Sequence, residues 1–134
     1  MRVAVFLLTA LCLCACARGT TPLDNSGMEI NVHLREMHRC SRISPEIEVI
    51  GYPADTTMFE VALEETGKQP RRVNHGGGSW HNDSTGIIPE GALLNYYRGA
   101  CPPNGQVRTY QYVVTAYGVN KKPLAKARYA FEQE

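Results

Sequence analysis

Three polar side chains stand on turns rich in glycine and proline. His75 heads His75-Gly76-Gly77-Gly78, Tyr97 heads Tyr97-Arg98-Gly99-Ala100-Cys101-Pro102-Pro103-Asn104-Gly105, and Arg108 follows that loop. A guanidinium is permanently charged and forks onto carboxylate or phosphate oxygens. An imidazole donates or accepts a hydrogen bond near neutral pH, and a phenol does either. Glycine lets backbone approach backbone, or a ligand, where a Cβ would stand in the way. These types in this setting predict a small, backbone-walled site on a β scaffold that takes a negatively charged group. Each residue has a plainer alternative. His75 is also read as bonding only to turn backbone, and Tyr97 as a packed rim tyrosine. Arg108 is also read as a structural ion pair with Glu64 or Glu65, the preferred reading for that residue. The glycine triplet reads as a flexible loop ahead of an anion-binding nest of N–H groups. It is not a P-loop, because no Lys-Ser/Thr follows it.

The elements that must position these groups are strands. Met28, Ile30, Val32 and Leu34 alternate with Glu29, Asn31, His33 and Arg35, the period of a half-buried strand. Ile47 and Val49 lie on one face of a second run. Phe59, Val61 and Leu63 lie on one face of a third, and Tyr110, Tyr112, Val114 and Ala116 on one face of a fourth. The run from Leu124 to Phe131 fits either a last strand or a short helix, since its alanines favour helix while Tyr129 and Phe131 suit a strand. Turn signals separate the runs: Ser44-Pro45, Pro53-Ala54-Asp55, Thr66-Gly67, the glycine triplet, Pro102-Pro103-Asn104-Gly105 and Gly118-Val119-Asn120. Trp80 and His81 are placed on an exposed loop. Many short strands with such turns predict an all-β domain, an antiparallel sandwich or barrel with little helix.

The front of the chain bears on compartment. Met1-Arg2 is a short positive segment, Val3 to Leu13 is apolar, and Leu13-Cys14-Ala15-Cys16 looks like a bacterial lipoprotein signal. That reading makes residues 1–15 a signal peptide, Cys16 the lipidated residue, residues 16–27 a tether, and residues 28–134 one folded domain. Several acyl chains on Cys16 give stable anchoring, at about 0.8 kcal/mol per buried methylene. Ala17 after that cysteine, in place of aspartate, places the chain on the outer membrane facing the periplasm if the host is Gram-negative. Cys12 and Cys14 leave with the signal. Cys40 and Cys101 remain, and an envelope compartment permits a disulfide between them. The sequence leaves open whether their Cα atoms come within the roughly 7 Å that a disulfide needs.

Other function classes find little support. Fourteen Lys and Arg face thirteen Asp and Glu without a basic cluster, so nucleic acid is not an expected partner. No Gly-x-Ser-x-Gly is present, and an enzyme is not expected. His38-x-Cys40 is too sparse for zinc, so neither metal nor cofactor is expected.

With these residues in hand, the chain resembles the phosphatidylethanolamine-binding protein family, also called Raf-kinase-inhibitor-like proteins, and in particular its short bacterial envelope members. The matching pieces are Ile43-Ser44-Pro45-Glu46-Ile47, Tyr52-Pro53-Ala54-Asp55-Thr56, His75 with its glycines, and Ile88-Pro89-Glu90-Gly91-Ala92. They continue with Tyr97-x-Gly99-x-Cys101-Pro102-Pro103-x-Gly105 and with Tyr110-x-Tyr112 before Ala116. Together they cover residues 43–127. The resemblance implies an antiparallel β-sandwich with a small anion pocket near one edge. In the family an Asp-Pro-Asp loop, a histidine, a Tyr-Gly-Pro-x-Pro-Pro loop and a second histidine line that pocket. It thereby implies ligand-binding roles for His75, Tyr97, Gly99 and Pro102. Glu65 stands where that acidic motif is expected, and Arg108 where the second histidine is expected. The chain departs from the pattern there, and again at Ala100, which replaces the loop proline. Two outcomes follow: an anion pocket reached by a different route, or a pocket closed by a Glu65–Arg108 pair. The expected function is a lipid-anchored envelope protein that binds a small anionic or phospholipid-headgroup-like ligand. The alternative is an envelope protein that inhibits a hydrolase or protease through a protein partner, with a degenerate pocket.

Overall fold

The computed structural model describes residues 27–67 and 73–134. The predicted signal peptide, Cys16 and the tether before Gly27 lie outside the described residues. Period-2 patterns become strands wherever one face is buried. Strand β1 (Glu29–Val32) and strand β2 (Ile47–Ile50) pair antiparallel, and β5 (Ile87–Ile88) joins β2 on its far side. The second sheet runs β4-β3-β6-β7, all antiparallel, with β3 at Met58–Thr66, β4 at Val73–His81, β6 at Arg108–Tyr117 and β7 at Pro123–Gln133. Among the described residues the only helix is two 3₁₀ turns, Glu36–His38 and Val119–Lys121. This is the antiparallel, mostly β sandwich expected from the sequence.

The core lies between the sheets. Phe59, Val61 and Leu63 of β3 and Tyr110, Tyr112, Val114 and Ala116 of β6 meet Ile30, Val32, Ile47, Val49 and Ile88 from the other sheet. Each fully buried valine, leucine, isoleucine or phenylalanine among them contributes about 1.5–3 kcal/mol by leaving water. Phe131 stacks on both Tyr110 and Tyr112, with ring centroids 5.7 Å apart in each pair. Strand β6 is central, so its outward residues Gln111, Val113 and Thr115 are buried as well.

Two expectations are corrected and one choice is settled. The glycine triplet is not a turn: it lies inside β4, in a register that puts Gly77 opposite Ala62 and Gly78 opposite Val61. What the glycines provide is clearance, for the segment around Leu93 to Tyr97 crosses their backbone. A Cβ on Gly76 would stand 2.3 Å from the Tyr96 carbonyl oxygen, and one on Gly78 2.9 Å from the Leu93 Cα. Trp80 and His81 likewise sit in β4 rather than on a loop, with Trp80 packed against the core and His81 exposed. The run after Leu124 is a strand, because Tyr129 and Phe131 find aromatic partners that a helix would not align.

Cys40 and Cys101 are joined by a disulfide, with Cα atoms 4.6 Å apart. It ties the 3₁₀ turn at Glu36–His38 to the proline loop. The same corner holds an ion cluster. His38 is 2% exposed; its Nδ1 accepts the Arg35 backbone N–H at 3.0 Å, so Nε2 carries the proton and donates to Glu90 Oε2 at 3.0 Å. Arg35 reaches the same carboxylate oxygen. The Arg35 hydrogen bond, then the one from His38, holds the Glu90 carboxyl below the ordinary 4.5 of a glutamate. A carboxyl whose pKa is lower in the folded chain stabilises it above the unfolded value, and that stability is lost as pH falls through the folded value. Glu90→Gln is therefore expected to lower the melting temperature at neutral pH and to flatten its decline below about pH 4.5. A calorimetric series from neutral pH to about pH 3 checks this. A variant curve parallel to the parent's would refute it.

Candidate functional site

At one end of the four-stranded sheet the inward row of β3 does not finish on an apolar residue. Phe59, Val61 and Leu63 are followed on the same face by Glu65, directly opposite Tyr110 of β6. A carboxylate in that position is costly to bury unless charged or hydrogen-bonding partners meet it. Two side chains do so. Arg108, at the start of β6, donates Nη1–H to Glu65 Oε1 at 2.8 Å, and His75 of β4 places Nε2 3.4 Å from Glu65 Oε2. The Glu65 side chain is 13% exposed, that of His75 17% and that of Arg108 39%. The His75 ring meets Tyr110 edge to face at 5.4 Å. Burial, then the Glu65 charge, raises the pKa of the Tyr110 phenol, opposed by a hydrogen bond from the Cys101 backbone and by the Arg108 charge.

The outer edge of the guanidinium has a different partner. Both Arg108 Nε and Nη2 donate to one oxygen, Gln106 Oε1, at 3.3 and 3.0 Å. That edge borders an open depression of about 560 Å³ lined by Glu65, Thr66, Gly67, Gln106, Val107, Arg108 and Thr109.

Of the residues singled out in the sequence, the fold thus brings His75, Glu65 and Arg108 together through one carboxylate. Tyr97 is placed elsewhere. It is 4% exposed, and its hydroxyl lies 2.6 Å from that of Tyr112. Burial raises the pKa of both phenols, so the pair stays neutral. Gly99 and Pro102 are buried in the disulfide corner, where the Gly99 N–H donates to the Ser41 carbonyl at 2.7 Å. Two members of the site were not anticipated as such. Tyr110 is expected from the sequence as a core-facing strand residue and as part of the Tyr110-x-Tyr112 piece, not as a neighbour of His75 and Glu65. Gln106 carries no sequence signal beyond lying two residues before Arg108. Among the described residues no three His, Cys, Asp or Glu side chains are grouped to hold a metal ion.

No family model matches the chain, and no curated protein matches it. Two solved structures share its fold. One is a putative phosphatidylethanolamine-binding protein homolog, CT736 of Chlamydia trachomatis, at 16% identity. The match covers 81% of this chain and 98% of that one, with a TM-score of 0.57. The other is YbcL of E. coli, described as a new member of the mammalian phosphatidylethanolamine-binding protein family. It is 18% identical, with 80% and 98% of the two chains covered and a TM-score of 0.60. At the level of fold, the resemblance drawn from the loops and turns is borne out.

Proposed function

We propose that this chain, built on the phosphatidylethanolamine-binding protein fold, is a binding protein for a small ligand with an anionic group, such as a phosphate-bearing headgroup. It works at the bacterial envelope, anchored through lipid on Cys16. The observation that carries the ligand reading is the outer edge of Arg108. Two N–H groups converge there on a single neutral amide oxygen, supplied by an exposed residue two positions away. An anionic oxygen is the stronger acceptor for that edge, so a phosphate or carboxylate displaces Gln106 and gains a charge-assisted fork. Glu65 holds the guanidinium from the other side and offers a carboxylate to a cationic amine on the same ligand. A zwitterion such as phosphoethanolamine matches both charges.

Calorimetric titration of the full chain with phosphoethanolamine and with inorganic phosphate tests this. Phosphoethanolamine is expected to release heat, and Arg108→Gln to weaken binding about tenfold or more, as for loss of a hydrogen bond to a charged group. Unchanged affinity in Arg108→Gln, with its melting temperature retained, would remove Arg108 from the site. A second reading is an envelope protein that acts on a hydrolase or protease with its pocket degenerate. One feature favours it: Glu65 already satisfies both His75 and Arg108. Absence of heat with either ligand selects that reading.

A further inference from the structure

The segment that crosses the glycines of β4 leaves two large side chains with no cover. Leu93 and Tyr97 point into the core at 1% and 4% exposure, whereas Leu94 is 86% and Tyr96 94% exposed. Scattered exposed apolar residues are ordinary on a protein surface. These two differ in how firmly they are held out. Gly77 and Asn95 exchange both backbone hydrogen bonds, at 3.0 and 2.9 Å, and the Arg98 N–H donates to the His75 carbonyl at 2.9 Å. Tyr96 occupies the left-handed region at φ 53°, which a bulky residue adopts at a cost of about 1–2 kcal/mol. The fold therefore spends strain on a tyrosine that packs against nothing.

The surroundings of the pair carry one sign of charge. A depression of about 470 Å³ beside it is lined by Arg42, Leu93, Leu94, Tyr96, Tyr97 and Arg98. Arg42 and Arg98 are exposed, and neither has a carboxylate partner among the described residues. No acidic residue lines the depression.

We propose that Leu94, Tyr96, Arg42 and Arg98 form a docking surface for an anionic phospholipid bilayer. A protruding leucine reaches the acyl boundary, and a tyrosine beside it sits at headgroup depth, where amphipathic rings collect. Arginines on the rim meet lipid phosphates. A bilayer accepts a projecting apolar pair without a matching cavity, whereas a protein partner needs a pocket of that shape with carboxylates around it. Rigid backbone presentation lowers the ordering cost of docking. The depression beside this pair shares no lining residue with the one beside Arg108, so neither reading depends on the other.

The test uses the full chain carrying Leu94→Trp, with the parent chain, whose tryptophan is Trp80, as the blank. Sedimentation with vesicles measures how much chain is bound by any route, and fluorescence is read per bound chain. With vesicles of phosphatidylcholine and phosphatidylglycerol, the added tryptophan is expected to emit further to the blue and to be quenched by brominated lipid. With phosphatidylcholine alone, quenching is expected to be weak. Arg42→Gln and Arg98→Gln are each expected to weaken the docking that produces quenching about fivefold, for about 1 kcal/mol per basic residue at an anionic surface. Solvent-like emission on vesicle-bound chains would overturn the proposal and leave the pair to a protein partner. Equal quenching on both vesicle types would overturn the role of charge. If Leu94→Trp does not fold, Tyr96→Trp places the same probe on the same surface.

Discussion

Replacing Cys40 and Cys101 together by serine is expected to lower the melting temperature by about 15–30 °C. The bond closes a loop with a sequence separation of 61 residues. For a loop of that length the chain-entropy account gives about 4 kcal/mol, through a restricted unfolded state. In a domain of roughly a hundred residues each kcal/mol moves the midpoint by about 4–8 °C. The folded state near the bond has reason to outlast its removal. Cys40 donates its N–H to the Ala100 carbonyl at 3.0 Å, Gly99 donates to Ser41, and His38 anchors the same turn to Glu90. The loss should thus appear mainly as reduced stability of an otherwise unchanged fold. Scanning calorimetry of the double serine variant, and of the parent chain with and without reductant, measures it. A drop of less than about 5 °C would mean that the unfolded chain is already restricted without the bond, and the loop-entropy account would fail here.

The strands that were legible in the sequence are those with one buried face. Phe59, Val61 and Leu63, or Ile47 and Val49, repeat every second residue because the core takes every second residue. Strand β7 was ambiguous because Ala125 and Ala127 suit either structure, and only contacts made by Tyr129 and Phe131 with distant β6 decide between them. Strand β4 was unreadable for a different reason. Gly76, Gly77 and Gly78 have no side chains to alternate, and what they encode is room for a segment nearly twenty residues later. Part of the site could have been read from local pattern. Glu65 continues the inward row of β3, and a carboxylate there demands cations, which narrows the partner of Arg108 to Glu65. Tyr97 could not be placed in this way. Loop tyrosines serve rims and cores equally well, and this hydroxyl is committed by Tyr112, fifteen residues on. His38, noted only as too sparse for zinc, is buried and bonded through both ring nitrogens, one of them to a carboxylate fifty-two residues away.

Gly77→Ala is expected to destabilise the chain by about 3 kcal/mol or more, although it adds a single methyl group. A Cβ at that position would stand 1.8 Å from the Val61 carbonyl oxygen and 2.8 Å from its carbon. Both obstacles are backbone of the neighbouring strand, which cannot rotate aside as a side chain can. Relief requires β3 and β4 to part, or Gly77 to give up its paired hydrogen bonds with Asn95. Overpacking of this kind costs about 1–3 kcal/mol, and each lost backbone hydrogen bond about 1 kcal/mol more. Gly67→Ala is the matched control. Nothing lies within 4 Å of its added Cβ and its φ is not positive, so its effect is expected to stay within about 0.5 kcal/mol. Urea unfolding of the two variants separates a glycine needed for clearance from one that merely occupies a bend. The same substitution bears on the exposed pair, because Asn95, between Leu94 and Tyr96, is held to the sheet through Gly77 alone of the triplet. If Gly77→Ala unfolds within about 1 kcal/mol of the parent, the segment is not clamped as tightly as these distances require. The rigid display of Leu94 and Tyr96 would then lose its support.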